Sequence, residues 1–263
     1  MVPASRGESI EVSRTSRSTP IRCDRPTPRP PFGTAGETHG GSTDEFRGQD
    51  RSTEFRTRHQ EDIMGKIHID LFTTLDLVAQ APGGPDEDPE GDFRYGGWQA
   101  PLTDEVVGDQ ITGNMPGIDA LLLGRRTYDI FAAYWPHQTG EIADRFNEIP
   151  KYVATRGRLD LDWTGATAIG ADLAGEVRAL RGRHAETHVI GSLDLVQTLL
   201  RERLFDQLNL WVYPITLGTG KKVFDGGAVP SSLTLLEPPL TSPKGAVLLR
   251  YGLEPGTPGT GQM

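Results

Sequence analysis

The chain has 263 residues and a formal net charge of −9, from 36 acidic and 27 basic side chains. An acidic protein lacks the basic surface that phosphate contacts require, which argues against general nucleic-acid binding. The single cysteine, Cys23, excludes a disulfide framework, and no apolar run approaches the roughly 18 residues of a membrane helix, so we expect a cytoplasmic protein with no membrane partner.

Residues 1–63 differ in composition from the rest of the chain. They are rich in Arg, Pro, Ser, Thr, Gly and acidic residues, and their ten arginines and ten acidic residues cancel in charge. Such a segment buries too little apolar surface to fold alone, so we expect a disordered extension. Since the first strand pattern begins directly after Met64, translation either starts there or includes this extension. A folded domain is predicted over residues 64–254, followed by a flexible tail over residues 255–263.

The first predicted elements are a strand, a long loop and a helix. Polar and apolar residues alternate over residues 66–71, which is typical of a strand with one buried face. Residues 73–101 are rich in Gly, Pro and acidic residues, and a loop of that length in a compact domain is usually functional or mobile. Apolar residues at every fourth position then predict a helix over residues 104–114, which Pro116 ends.

In the next segment a strand leads directly into a helix. Residues 118–123 are mostly apolar, as expected of a strand covered on both faces, and Gly124 ends the run. A helix is predicted over residues 125–134, with aromatic side chains on one face and Pro136 at its end. Residues 152–155 predict a further short strand.

Towards its C-terminus the chain changes from alternating strands and helices to strands alone. Asp172 caps a predicted helix, residues 188–190 form a strand, and Ser192 caps the next helix. Three strands then follow, over residues 207–213, 233–236 and 246–253. The simplest architecture is an α/β fold with a mostly parallel central sheet, helices on both faces and antiparallel C-terminal strands.

Two of these strand-to-helix junctions share one design. The first strand passes through Gly124 into a helix whose first residues are cationic and hydroxylic, and the second passes through Gly191 into a helix preceded by Ser192. The first amides of a helix have no partner inside it, and glycine lets a phosphate approach the backbone closely. Each junction is therefore a candidate anion site, and two such sites suit a dinucleotide.

Arg125 and Arg126 lie where positive charge opposes the helix dipole, which is unfavourable unless an anion binds nearby. The planar guanidinium fork matches a ribose 2′-phosphate, which favours NADPH over NADH, and Arg156 offers a second donor after the strand ending at Thr155. The alternative is a tight turn with no ligand, in which the arginines are solvated or paired with Asp129.

Several segments of the chain resemble a known family. Gly124-Arg-Arg-Thr-Tyr-Asp-Ile-Phe is similar to the Gly-Arg-x-Thr-Trp/Tyr segment of dihydrofolate reductases, in which the helix start holds NADPH phosphates. Residues 66–253 as a whole resemble the dihydrofolate-reductase-like proteins grouped with the C-terminal reductase domain of RibD, the bifunctional riboflavin-biosynthesis enzyme. The supporting segments are Gln80-Ala-Pro-Gly-Gly-Pro-Asp-Glu-Asp, Gly96-Gly-Trp98, Pro150-Lys-Tyr-Val, Gly191-Ser192, Leu195-Val-Gln-Thr-Leu-Leu200 and Pro214-Ile-Thr-Leu-Gly218-Thr-Gly220-Lys-Lys-Val-Phe224.

This resemblance implies a dihydrofolate-reductase-like fold, an NADPH site and a homodimer. The cofactor-binding residues that it implies are Thr74, Val78, Gly124, Arg125, Arg126, Thr127, Thr155, Arg156, Gly191, Ser192 and Leu193. The nicotinamide is expected near the loop that contains Asp76. There Leu77 replaces the glycine usual in related sequences, which makes a turn with positive φ costly.

The candidate catalytic residues are two carboxylates, Asp76 in this loop and Asp104 at the start of the following helix. In dihydrofolate reductases a carboxylate near the place of Asp104 holds the pterin, but an acidic residue there is more simply explained by helix capping. The cofactor performs hydride transfer, so no nucleophile or metal is required. No metal site is predicted, because His184 and His188 straddle a helix end and a strand, and His68 is expected to be an ordinary satisfied residue.

The sequence therefore predicts an NADPH-dependent reductase, and the resemblance implies that its substrate is a small heterocycle, such as the riboflavin precursor 5-amino-6-(5-phosphoribosylamino)uracil. No deaminase motif (His-x-Glu with Pro-Cys-x-x-Cys) is present, which separates the chain from the bifunctional enzyme. Two alternatives stay open. One is a non-catalytic nucleotide-binding or regulatory module, and the other is a structural oligomer with an empty cleft.

Overall fold

The computed structural model describes residues 64–157, 160–226 and 228–262. The predicted disorder of residues 1–63 lies outside these residues, and the predicted domain bounds stay predictions. Within the described ranges, no helix is long and apolar enough to cross a membrane.

One nine-stranded sheet forms the centre of the described chain. Its strands are β1 (Lys66–Thr74), β2 (Ala120–Gly124), β3 (Lys151–Ala154), β4 (Ala166–Ile169), β5 (Glu186–Gly191), β6 (Gln207–Tyr213), β7 (Leu233–Leu235), β8 (Leu240–Thr241) and β9 (Val247–Leu253). The order across the sheet is β4-β3-β2-β5-β1-β6-β9-β7, with β8 paired to β9. Strands β1 to β6 pair in parallel, and β9 pairs antiparallel with β6, β7 and β8. The predicted sheet, parallel with antiparallel C-terminal strands, is confirmed.

Helices cover both faces of this sheet. The helices of the described residues are α1 (Glu105–Asn114), α2 (Arg125–Tyr134), α3 (Glu141–Glu148), α4 (Leu173–Leu180) and α5 (Leu193–Arg201). Successive side chains of a strand point to opposite faces, and β2 shows this directly. Leu122 packs in the core that contains Val177 of α4 and Leu199 of α5, whereas Leu121 packs in the core that contains Phe146 of α3 and Tyr128 of α2. Because the parallel strands end at one edge of the sheet, the loops that follow them converge there.

The sequence did not predict α3, β4 or β8. The helix α3 has only eight residues and buries Ala143 and Phe146, and its apolar face is too short to stand out in the sequence. The strand β4 lies at the sheet edge and none of its side chains is fully buried, so it lacks both alternation and an apolar run. β8 has two residues, which is too short for a pattern.

Candidate functional site

The two strand-to-helix junctions lie in direct contact. Strands β2 and β5 are parallel neighbours, and their register pairs Leu123 with Gly191. A methyl group built on Gly124 would lie 2.1 Å from the Ser192 Oγ, and one built on Gly191 would lie 2.6 Å from the Thr127 Oγ1. Two glycines therefore allow the backbones of the two junctions to touch. We call this pair, residues 124–127 and 191–193, the double corner.

Both helices of the double corner start without a side-chain cap. Gly124 precedes α2 and has no side chain, and the Ser192 hydroxyl, which precedes α5, makes no capping hydrogen bond within the described chain. Ser192 therefore occupies the predicted N-cap position, but the predicted capping hydrogen bond is wrong, because its Oγ lies against Gly124 instead. The first amides of two helices, with their positive dipole ends, are left for a ligand at one place.

A small cavity adjoins the double corner. Among the residues that line it are Arg126, Thr127, Gly191, Ser192, Leu193 and Lys221. The first five are predicted cofactor-binding residues, so the structure brings these together on one surface. Lys221 was not predicted for this site, because it is about 95 residues from the first junction in sequence and only the tertiary fold brings it there.

The acid-rich loop after β1 is bound to the cations of this cavity. Arg126 Nη1 donates to Asp88 Oδ1 at 2.6 Å, and Lys221 Nζ donates to Asp88 Oδ2 at 2.7 Å. The Glu90 carboxylate contacts the same two cations. Hydrogen bonds from Lys221 and then from Arg126 lower the pKa of Glu90 to about 2. Two carboxylates thus hold the positive charges that an anionic ligand of the cavity would use.

The remaining predicted cofactor residues near the first junction do not line the cavity. Arg125 Nε donates to both Asp129 oxygens at 2.8 and 2.9 Å, which is the pairing expected of a turn without ligand. Thr155 and Arg156 follow β3, whose last residue, Ala154, pairs with Gly124 in the sheet. They lie at the same sheet edge, and a cofactor role for these three residues stays a prediction.

The residues predicted near the nicotinamide form a tight turn. Thr74 Oγ1 donates to Asp76 Oδ1 at 2.6 Å, and the Val78 amide donates to Thr74 Oγ1 at 3.0 Å. Asp76 also accepts the amides of Leu217 and Gly218, at 3.2 and 2.8 Å. These bonds, with that from Thr74 the largest, lower the pKa of Asp76 to about 2. This carboxylate ties the turn to the segment after β6, and its catalytic role stays a prediction.

Leu77 adopts the left-handed backbone region in this turn. Its φ is +64°, where a glycine would be unstrained. The turn with positive φ is therefore present although residue 77 is not glycine. The hydrogen bonds to Asp76 offset part of the conformational cost at Leu77.

Asp104 caps α1. Its Oδ1 accepts the Val107 amide at 3.1 Å and its Oδ2 accepts the Lys244 amide at 3.0 Å. The capping interpretation is confirmed, and the substrate role of Asp104 stays a prediction.

A second cavity, of about 320 Å³, lies beside the first, and we call it the ring cavity. Its walls are mostly apolar and include Phe72, Ile111, Phe131, Trp135, Phe146 and Trp211. Leu71 and Ile190 line both cavities, so the two are adjacent. An apolar pocket of this size with a few polar groups is typical of small-molecule sites.

Four polar side chains, Asp70, His188, Asn209 and Arg250, line one end of the ring cavity. His188 Nδ1 lies 2.7 Å from Asp70 Oδ2, and Asn209 Nδ2 donates to Asp70 Oδ1 at 2.7 Å. Burial acts to lower the pKa of His188, but the Asp70 carboxylate outweighs it and raises the pKa above its ordinary value. This group was not predicted from the sequence. Polar residues on neighbouring buried strands are its only sequence signal.

Comparisons with known proteins agree with this architecture. The model of the RibD C-terminal domain family matches residues 65–242. The uncharacterized protein YyaP of Bacillus subtilis is 27% identical over 165 residues, which are 60% of this chain and 80% of YyaP. A pyrimidine reductase-like protein from Corynebacterium diphtheriae is similar in structure with a TM-score of 0.53 at 13% identity, over 73% of this chain and 93% of that one. Acinetobacter baumannii RibD gives a TM-score of 0.52 at 14% identity, over 75% of this chain and 60% of that one. These likenesses confirm the predicted dihydrofolate-reductase-like α/β fold.

Proposed function

We propose that the chain, which belongs to the RibD C-terminal domain family, is an NADPH-dependent reductase of a small heterocycle. The observation that carries this proposal is the double corner, where two uncapped helix starts touch beside the ring cavity. A dinucleotide has the two features that such a site requires, a diphosphate for the amides and a flat ring for the adjoining cavity.

The residues present fit the phosphates of this cofactor. The first amides of α2 and α5 suit the diphosphate, because each helix start offers unpaired donors and a positive dipole end. Arg126 and Lys221 supply the positive charge that a 2′-phosphate requires, and Arg126 supplies it as a planar fork. When bound, the nicotinamide supplies the hydride, so the side chains of this protein need only bind, orient and exclude water.

The ring cavity supports a polar heterocycle as substrate. Its aromatic and aliphatic walls suit a flat ring, and Asp70, His188, Asn209 and Arg250 at one end offer both donors and acceptors. A pyrimidine related to the riboflavin precursors, which the family name suggests, has this mixture of a flat ring and polar edges. The cavity and the family together support this substrate class.

Calorimetric titration of the full chain with NADPH and NADH tests the cofactor. We expect NADPH to bind more tightly, and Arg126→Ala to lower its affinity by roughly 1 to 3 kcal/mol, as for the loss of a hydrogen bond to a charged group. Arg125→Ala should change the affinity less, because Arg125 is paired with Asp129. Arg201→Ala, at the far end of α5, is the matched control. Equal millimolar affinity for both nucleotides contradicts the proposal.

One observation favours a second candidate, a nucleotide-binding module without turnover. Asp88 and Glu90 hold the cations of the cofactor cavity, which suits a site that is regulated. NADPH binding without NADPH oxidation, across a panel of pyrimidines and pterins, distinguishes this candidate from the reductase. The homodimer implied by the family is also a proposal, and light scattering on the purified chain tests it.

A further inference from the structure

Three potential ligand side chains meet on one face of the sheet, outside the cofactor site. His68 on β1 and His188 on β5 are partners in the strand register, and Glu186 lies two residues before His188 and therefore on the same face. The two imidazole rings stack with centroids 4.7 Å apart and planes 7° apart. One ligand atom from each of the three residues lies within 4.8 Å of the others. We call His68, Glu186 and His188 the triad.

The hydrogen bonds of His188 match those of a metal ligand. Asp70 Oδ2 engages its Nδ1 at 2.7 Å, which leaves Nε2 as the free ring nitrogen. Asn209 holds Asp70 in turn, through its other carboxylate oxygen. In metal sites a ligand histidine usually bonds a carboxylate in this way, which fixes the ring orientation and makes the imidazole more basic.

His68 is buried, and its Nε2 faces the Glu186 carboxylate. Its exposed fraction is 7%. Its Nε2 contacts the Glu186 carboxylate but, among the residues that the structure describes, has no hydrogen bond of regular geometry. His68 Nε2 and the Glu186 carboxylate therefore lie close enough to bind one ion together.

The charges around the triad favour a cation. Negative groups face it from several elements: Glu186 and Asp70 on the strands, Asp119 before β2 and Glu237 from the segment after β7. Among the described residues, the cations paired with these carboxylates are Arg250 on β9, which contacts Glu237, and Arg145 on α3, whose Nη2 lies 3.8 Å from Asp119 Oδ1. Four carboxylates thus face two guanidinium groups, and a divalent ion would balance the excess.

We propose that the triad binds a divalent transition-metal ion of the Zn²⁺ or Co²⁺ class, with two imidazoles and one carboxylate as ligands. Such ions accept imidazole nitrogen and carboxylate oxygen, and three protein ligands leave a coordination position open. All three residues of the triad line a cleft beside the ring cavity, and His188 lines both. The triad shares His188 with the ring cavity, but the proposed hydride transfer itself needs no metal.

Cobalt titration of the full chain tests this inference. The protein is first stripped with a chelator and then titrated with Co²⁺ while the visible absorption of the ion is recorded, with Zn²⁺ added last as competitor. We expect one ion per chain from the triad, seen as a ligand-field band that Zn²⁺ displaces. His68→Gln and Glu186→Gln should each abolish this band, whereas His137→Gln, an exposed histidine remote from the triad, should retain it.

Two further measurements keep the test decisive. Circular dichroism shows whether each variant is folded, and Asp70→Asn replaces the group that orients His188 without removing a ligand. We expect Asp70→Asn to weaken Co²⁺ affinity by about 10- to 100-fold, the usual effect of losing such a partner. Cys23, His39 and His59 are other potential ligands in the sequence. A band that persists in folded His68→Gln places the ion elsewhere, and either this result or the absence of a band overturns the proposal.

Discussion

The contact between the two junctions predicts a specific effect of Gly124→Ala. The φ of Gly124 is −72°, which alanine adopts without strain, so the effect of the new methyl group is purely steric. That methyl group would lie 2.1 Å from the Ser192 Oγ, 2.8 Å from its amide nitrogen and 2.9 Å from its Cβ. Because backbone is involved, a rotamer change cannot relieve all of these contacts. Overpacking of this kind costs about 1 to 3 kcal/mol.

Urea denaturation and NADPH titration measure the two consequences of Gly124→Ala. We expect the free energy of unfolding to fall by that amount, and NADPH affinity to fall with it because the two sets of amides move apart. Gly108→Ala is the matched control, since its methyl group meets nothing within 4 Å and it lies inside α1. It should raise stability by roughly 0.5 to 1 kcal/mol, the usual gain from replacing a helix glycine.

A double-mutant cycle isolates the contact itself. Ser192→Gly removes two of the three nearest atoms, the hydroxyl oxygen and the Cβ, and leaves the amide nitrogen near position 124. In the background of Ser192→Gly, Gly124→Ala should therefore cost less, with a coupling of about 0.5 to 3 kcal/mol. Additive effects, or a Gly124→Ala protein as stable as the original and equal in NADPH affinity, refute the contact between the junctions.

Three other predictions concern the acidic loop, the buried Lys151 and the cap of α1. Neutralising the loop with Asp88→Asn and Glu90→Gln should tighten NADPH binding in calorimetry, because the cations of the cavity lose their carboxylate competitors, whereas the exposed Asp86→Asn should not. Burial lowers the pKa of Lys151 to about 8, so between pH 8 and its ordinary 10.5 the unfolded chain holds more protons. The free energy of unfolding should therefore rise over that range by up to about 3 kcal/mol, and Lys151→Met should lose this rise in urea titrations. Asp104→Ala should lower the melting temperature, because the helix cap is lost, and should leave NADPH affinity unchanged. A loss of turnover without a change in melting temperature would instead support the predicted catalytic role of Asp104.

The double corner was predictable because its signal is local. A buried strand, one glycine and the first turn of a helix occupy fewer than ten residues, and each part has its own sequence signature. The contact between the corners was not predictable in detail. It depends on β2 and β5 being neighbours, although Gly124 and Gly191 lie far apart in the chain.

The partners of the charged residues needed the tertiary structure. Arg126 and Asp88 are 38 residues apart, and only the path of the long loop brings the carboxylate to the guanidinium. Asp70 and His188 are 118 residues apart on neighbouring strands. The residues next to a lone polar residue on a buried strand do not indicate its tertiary partner. The polar end of the ring cavity and the triad were therefore not predicted.

Hydrogen exchange of the full chain with and without saturating NADPH tests the central claim most directly. The amides at stake are those of the first helical turns, residues 125–127 and 193–195, which no side chain of the described chain caps. If one dinucleotide spans the double corner, both sets of amides should exchange more slowly in the same titration, with the same midpoint. Saturation with NADPH that protects only one set, or neither, contradicts the account.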